Sequence, residues 1–277
     1  MAKPADRGYK MKHDELVSII TPSYNTGAYI AETIKSVLAQ TYTNWEMIIV
    51  DDCSTDNTDE VVARFSDSRI KYLKNKRNSG AAISRNYALR EANGKWIAFL
   101  DSDDLWLPEK LEKQIAFMNE NGYKFTFTDY RIVYLDKKYS PYIYTGPDKI
   151  TKHMMYRYCY FSTITVIYDR EYVGLIQIAD IPKNNDYAMW FKVIQKTDCH
   201  RMPECLSIYC KRENSISSGS KIKLIKFHYI MFRKALSMSP LLATICTIRN
   251  LFWGIHKKLF YRVKSQHKNV KVSTKGK

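Results

Sequence analysis

A chain of 277 residues, 45% hydrophobic and 26% charged, is long enough for one large domain, or a domain with an appendage, and for a substantial core. Its six cysteines, Cys53, Cys159, Cys199, Cys205, Cys210 and Cys246, contain no Cys-x-x-Cys, so a zinc site and a disulfide framework are both poorly supported. The formal charge of +16 is unevenly spread: residues 221–277 hold 14 Lys and Arg and no acid, and taking those from the total of 44 leaves 30 basic against 28 acidic residues before them. The body is nearly neutral and the tail strongly cationic. Reduced thiols in a cytosolic protein are the default reading. Met1–Leu16 is polar and lacks the apolar stretch of a secretory signal.

In chain order, Leu16–Ile20 reads as a strand broken by Thr21-Pro22-Ser23-Tyr24-Asn25. Ile30, Ile34, Val37 and Leu38 recur with helical spacing. Trp45–Val50 is a second apolar strand, ending in Asp51-Asp52-Cys53-Ser54-Thr55-Asp56, rich in turn and cap formers. A short helix is expected near Thr58–Phe65 and a strand at Ile70–Leu73. Ser79-Gly80 opens a helix to about Ala92, with Gly94 at its end. Trp96–Leu100 is a fourth strand, and Pro108 suits the first turn of a helix to Asn121, stopped by Gly122. Strands and helices alternating at these lengths predict an α/β fold with a mostly parallel sheet flanked by helices.

Asp101-Ser102-Asp103-Asp104 directly follows the fourth strand. Ligands of open α/β sheets bind at that carboxyl edge. Three carboxylates within four residues repel unless a cation neutralises them, and a hard divalent ion bridging to phosphates would do so. The competing reading is a solvated acidic turn. Tyr24 and Asp52 also follow strands and share the edge, and Arg85 sits early in the third helix near it. An aromatic and a carboxylate could hold a base while an arginine and an ion-bearing cluster hold a diphosphate. Neither Gly-x-Gly-x-x-Gly nor Gly-x4-Gly-Lys-Ser/Thr occurs, which argues against dinucleotide-binding dehydrogenases and P-loop enzymes.

Toward the end of the chain, Ile248, Phe252, Ile255 and Leu259 fall on one helical face, flanked by Arg249, Lys257, Lys258 and Arg262, with Trp253 and Tyr261 as interfacial aromatics. That composition suits a helix lying in an anionic membrane surface. The alternatives are packing on the body and nucleic-acid binding; the apolar residues favour membrane over nucleic acid. The uncharged stretch 235–248 would reach about 21 Å as a helix, short of a hydrocarbon core of roughly 30 Å. Gln266–Lys277 reads as a disordered basic end.

Four segments carry a resemblance: Val17–Asn25, Val50–Asp56, Asn78-Ser79-Gly80 through Arg85-Asn86, and Phe99–Asp104. In this order and spacing the chain resembles the family 2 glycosyltransferases of GT-A fold, in particular bacterial enzymes of cell-surface polysaccharide assembly. The match covers residues 15–218. It implies a nucleotide-sugar donor, most often UDP-linked, and Mn2+ or Mg2+. Thr21, Pro22, Tyr24, Asp52, Gly80, Arg85, Asp101 and Ser102 would bind the donor, Tyr24 by stacking on the base and Asp52 by accepting a hydrogen bond from it. Asp103 would ligate the metal and Asp104 would help. Asn184-Asn185-Asp186-Tyr187 fits the segment that presents the family's catalytic base, which makes Asp186 the base; a carboxylate at a helix start is also a good cap.

The resemblance implies an inverting transfer to a hydroxyl of a saccharide or lipid-linked acceptor; the cationic tail, which the match does not cover, would place the protein peripherally at the inner face of the cell membrane rather than on nucleic acid. Residues 1–15 would be a tail, 16–122 the donor half, 123–220 the acceptor half and 221–277 a basic helical extension. The acceptor half is rich in aromatics, among them Tyr130, Tyr134, Tyr142, Tyr144, Tyr156, Tyr158, Tyr160 and Phe161, at least half of them expected in the core. Cys53 replaces the glycine usual after Asp-Asp, which should matter only if its backbone needs a positive φ. Tyr209-Cys210 stands where relatives often carry Tyr-Arg; Lys211 or Arg212 could supply the charge, and Ser215–Ser220 would form a closing loop. A metal-dependent nucleotidyltransferase and a non-catalytic basic binder of membranes or nucleic acid are the rival functions. The first wants a basic glycine-rich loop after its first strand, which Thr21–Gly27 does not offer.

Overall fold

The computed structural model describes residues 15–134, 139–211 and 221–264. The expected N-terminal tail, apart from residue 15, and the basic end lie outside these. The chain opens with β1 (Val17–Ser23), α1 (Ile30–Leu38), β2 (Trp45–Asp51), α2 (Thr58–Val62), β3 (Ile70–Lys74), α3 (Ala81–Glu91) and β4 (Trp96–Phe99). The strands lie in the order β3-β2-β1-β4, all parallel. β1, β2 and β4 are apolar on both faces, as a sheet covered on both sides requires. Val17, Ile19, Met47 and Ile49 pack with Ile30, Ile34 and Val37 of α1. Ile20, Ile48, Val50 and Phe99 pack with Ala88 and Leu89 of α3 on the opposite face.

β5 (Leu105–Trp106), α4 (Lys110–Asn121), β6 (Phe125–Tyr134), β7 (Tyr139–Tyr144), β8 (Lys149–Ile150), α5 (Lys152–Met155), β9 (Val166–Asp169), α6 (Arg170–Val173), α7 (Asn185–Ile194) and β10 (Cys199–Lys211) follow. β9 joins β4 antiparallel, β6 joins β9 and β7 joins β6, also antiparallel. The mostly parallel expectation therefore holds for the half that carries the motifs, while the second half makes the sheet mixed. Four residues separate β6 from β7, too few for a crossover of about a dozen. β10 pairs parallel with β6 and antiparallel with β5 and β8, and the first of its two register shifts, between Met202 and Cys205, takes in Pro203 and Glu204, where proline's missing donor is tolerated.

Some local readings change. Helix α4 ends at Gly122 in the left-handed region (φ 69°), as its position predicts. Gly94 does not end α3, whose cap is Ala92. A Cβ on Gly94 would stand 2.6 Å from Leu16 O and Ser18 N, so this glycine lets the backbone enter β4 against β1. Pro22 does not end β1 but lies within it, opposite Val50. Even-numbered residues of β1 face β4, as Leu100 N–H donates to Ile20 O. Pairing with β4 stops at Ile20–Phe99, so the missing N–H of Pro22 breaks no ladder bond.

The C-terminal extension holds α8 (Lys221–Ile230), a π-helical turn over 231–235, α9 (Pro240–Phe260) and β11 (Arg262–Lys264). Ser239 caps α9 by accepting from Leu242 N–H, and Pro240 occupies its first turn. Ala243, Cys246, Thr247 and Asn250 bury one side of α9 against the body. Ile248, Phe252, Ile255 and Leu259 stay 62–70% exposed. β11 pairs antiparallel with β7 and ties the extension to the sheet edge, a strand the expectation of a helical tail missed. Among the described residues no helix is long and apolar enough to cross a membrane.

Candidate active site

Because β1, β2 and β4 are parallel, Tyr24, Asp52 and Asp101 leave the sheet at one edge. Thr21 and Ser23 are buried beneath it, and Tyr24 is 47% exposed at its rim. Asp52 is buried and its two oxygens are used within the protein. Oδ1 accepts from Asn75 Nδ2 at 2.7 Å and Ser79 N at 2.8 Å, and Oδ2 from Gly80 N at 2.6 Å. Three donors hold the loop that opens α3, where Gly80 takes φ 88°, a value only glycine adopts freely. Asp52 thus shapes the floor of the edge, and a base would share an already occupied carboxylate. Cys53 does require a positive φ (66°), so the side chain sits where glycine is the easier residue.

Arg85, buried on α3, reaches the acidic cluster and donates from Nη2 to Asp101 Oδ1 at 2.6 Å. Burial alone would favour its neutral form. The carboxylates of Asp101, Asp186 and Asp103 outweigh burial and push its pKa above the ordinary value. Asp101 and Asp103 are partly exposed, whereas Ser102 and Asp104 are buried. Asp104 Oδ1 accepts from Cys210 N at 2.7 Å, and its carbonyl accepts from Thr33 Oγ1 at 3.0 Å. Asp104, expected beside the metal, is instead turned inward as the tie between this turn and β10. Arg212 and Ser215–Ser220 lie outside the described residues.

Across the edge, Asn184 in the left-handed region (φ 59°) starts α7, and Asp186 stands in its first turn. Asp186 Oδ2 accepts from Thr163 Oγ1 at 3.0 Å and Oδ1 accepts from Tyr187 N. Its charge reaches three groups. It supports Arg85, it adds to burial in pushing the Cys159 thiol up to about 12, and it opposes the burial that pulls the His228 imidazole below its usual range. His228, on α8, lies 3.3 Å from Asn184 Nδ2 through Nδ1. Tyr187 donates its hydroxyl to Met155 O and accepts from Asn250 Nδ2 of α9 at 3.1 Å. The extension therefore touches the segment that presents Asp186. Trp190 is core, edge-on to Phe99 at 5.2 Å.

The sequence profile described as Glycosyl transferase family 2 matches residues 18–169, more than half of the chain. The chain belongs to this family. It is 40% identical over 247 residues to a protein of Bacillus subtilis described as a candidate teichuronic acid biosynthesis glycosyltransferase, TuaG, covering 88% of this chain and 98% of that one. It is 38% identical over 250 residues to WfgD of Escherichia coli, named as a UDP-Glc:α-D-GlcNAc-diphosphoundecaprenol β-1,3-glucosyltransferase, covering 89% and 96%. Among solved structures, TarS residues 1–349 of S. aureus with UDP-GlcNAc superimposes with a TM-score of 0.65 at 21% identity, covering 86% of this chain and 71% of that one. The mannosyltransferase PcManGT of Pyrobaculum calidifontis, with GDP-Man and Mn2+, gives 0.62 at 17%, covering 88% and 71%. The fold is GT-A, as the order of motifs implied.

Within this family 2 glycosyltransferase the sheet edge brings together Tyr24, Asp52, Gly80, Arg85 and the 101–104 turn, and electrostatics links Asp186 to Arg85. Among the described residues no three metal-binding side chains converge. That donor set still fits Mg2+ or Mn2+, which keep waters and take one or two carboxylates plus substrate phosphates; Asp103 and Asp101 are the candidates. Thr163 and His228 escaped the sequence reading because neither stands in a motif. His228 was legible only as one of six scattered histidines. Fewer aromatics of the acceptor half enter the core than expected: of the eight named only Tyr160 and Phe161 are buried, Tyr156 and Tyr158 pack half-buried against the same core, and Tyr134 and Tyr142 are 39% and 38% exposed.

Proposed function

We propose that this enzyme transfers a sugar from a UDP-sugar to a hydroxyl of a lipid-linked saccharide, with inversion, in assembly of a bacterial cell-surface polysaccharide. The observation that carries the reading is Arg85, paired to Asp101 and sustained by both Asp103 and Asp186, which sets a lone carboxylate opposite the acidic turn. The donor would lie along the edge with its base against Tyr24 and Pro22 and its diphosphate toward Arg85 and the turn. Asp186, oriented by Thr163, takes the proton from the acceptor hydroxyl as that oxygen attacks the anomeric carbon. The new C–O bond forms as the bond from the anomeric carbon to the diphosphate oxygen breaks, and UDP leaves; one displacement inverts the centre. A divalent ion held by Asp103 and Asp101 would supply charge neutralisation at the diphosphate. The UDP-containing TarS structures and the name of WfgD support the UDP donor and the lipid-linked acceptor. The exposed apolar face of α9 with its basic flanks supports contact with an anionic membrane surface, on the side where such an acceptor resides.

The test is release of UDP from a panel of UDP-sugars with a lipid-linked acceptor, with Mn2+ and with chelator. Turnover of one UDP-sugar is expected, lost on chelation and in Asp103→Ala, and lowered about 10²–10⁴-fold in Asp186→Asn. Undiminished turnover in Asp186→Asn would remove the base assignment. Binding of no nucleotide sugar would overturn the reading.

A further inference from the structure

A second concavity lies where residues 153–157 meet α9. It encloses about 380 Å3, and its lining combines His153, Arg157 and Arg249 with Met238, Leu242 and Cys246. Two guanidiniums bordering one cavity repel unless an anion lies between them. Among the described residues neither meets a carboxylate. Arg157 instead stacks over the Trp253 ring at 5.1 Å, and Arg249 is exposed. Guanidinium pairs suit phosphate oxygens, since the planar fork donates two parallel hydrogen bonds and is weakly hydrated.

Two connections say what kind of phosphate. Asn250, next to Arg249, donates to the Tyr187 hydroxyl, which itself donates to Met155 O; Tyr187 directly follows Asp186. The cavity's walls are thus joined through the Asn250 and Tyr187 side chains to the helix turn that carries the residue assigned as base. Leu242 in its lining is 47% exposed and continues into Leu241 and Ile248, 73% and 62% exposed, on the outer face of α9. A phosphate seated on the arginines would have water-facing apolar surface beside it, where a free ion has no use for one. Residues 221–277 hold no acid, so every charged side chain that α9 brings to this face is basic.

We propose that this cavity takes the diphosphate of a lipid-linked acceptor, the hydrocarbon chain leaving along the exposed face of α9. This rests on the transferase reading and adds to it the site that holds the acceptor's phosphates. The full chain is tested for co-sedimentation with vesicles of phosphatidylcholine alone, with phosphatidylglycerol, or with polyprenyl diphosphate at matched surface charge. Wild type is expected to prefer the polyprenyl diphosphate vesicles. Arg157→Gln with Arg249→Gln should lose that preference by about tenfold or more while keeping its binding to phosphatidylglycerol. If the double variant melts early, Arg249→Gln alone carries the test, since that side chain is exposed.

Equal binding to the two anionic vesicles, or an unchanged preference in the variants, overturns the proposal. So does inorganic diphosphate displacing the protein at concentrations matching the vesicle-borne group, which would make this a site for a free anion. No sugar donor is present in this assay. No preference in the wild type with intact UDP release sinks this site alone, and absent UDP release with intact wild-type preference sinks the transfer reading alone.

Discussion

Arg85 and Asp186 stand a hundred residues apart, and the charge of Asp186 acts on Arg85 because the fold brings the starts of α3 and α7 near each other. Each is legible singly, one as a basic residue early in a helix and the other as a carboxylate at a helix start; their proximity is not. Lys110 carries the opposite lesson. It looks like a surface lysine in the first turn of α4, yet it is fully buried, donating to Gln114 Oε1 at 2.8 Å with its ammonium 4.3 Å from the Trp106 ring centre. Burial pulls its pKa down to about 7. Below pH 7 both folded and unfolded chains hold that proton and the cost of burial is constant. Between about 7 and 10.5 the unfolded chain alone holds it, so stability rises with pH across that window, by a few kcal/mol at about 1.4 kcal/mol per unit. Lys110→Met should be more stable than wild type below pH 7 by about 2 kcal/mol and should lose this rise. Urea unfolding below pH 7 and near pH 10 checks it; the same slope in the variant would mean another group is responsible.

At the scale of elements, the four βα repeats were readable to within a few residues because a buried parallel strand is a short apolar run and its helix an apolar stripe. The errors concern residues whose meaning depends on a neighbour in space. Pro22 reads as a strand breaker until β4 is seen to stop short of it, and Gly94 reads as a helix stop until β1 is seen to press on it. Gly94→Ala would place a methyl against the backbone at the start of β1, Leu16 O and Ser18 N, neither able to yield as a flexible side chain could. A loss of about 2–3 kcal/mol is expected, seen as a lower urea midpoint at unchanged slope. A neutral outcome would show that β4 can slide along β1 and that the acidic turn is less firmly placed than the packing implies. The second half was less legible, because antiparallel pairing of β9, β6 and β7 follows from where the chain returns rather than from its pattern.

For the molecule as a whole, the extension is part of the fold on one side and open on the other. Asn250 and His228 reach the segment that carries Asp186, β11 extends one sheet edge, and the far face of α9 leaves Ile248, Phe252, Ile255 and Leu259 in solvent. A basic chain with such a face should bind anionic vesicles through both terms. Each Lys or Arg near an anionic surface contributes about 1 kcal/mol at modest ionic strength, and salt near 1 M shortens the screening length to about 3 Å. Phosphatidylglycerol vesicles should therefore retain wild type in low salt and release most of it in high salt. Phe252→Asp should weaken retention at both salts while leaving UDP release on a water-soluble acceptor unchanged. Retention of Phe252→Asp at the wild-type level would mean that α9 does not enter the interface.

The amino-acid sequence by itself determined the family, the parallel half of the sheet and the identity of the chemical groups at its edge. These reside in short segments whose local pattern is dictated by backbone and burial rules that act within one strand and one turn. Only the tertiary structure decided which carboxylates face outward, with Asp104 tied to Cys210 and Asp52 spent on the Ser79–Gly80 loop. It alone brought Thr163, His228 and Asn250 to the α7 segment. Those contacts join residues 23 to 106 positions apart, and no spacing rule along the chain reaches that far.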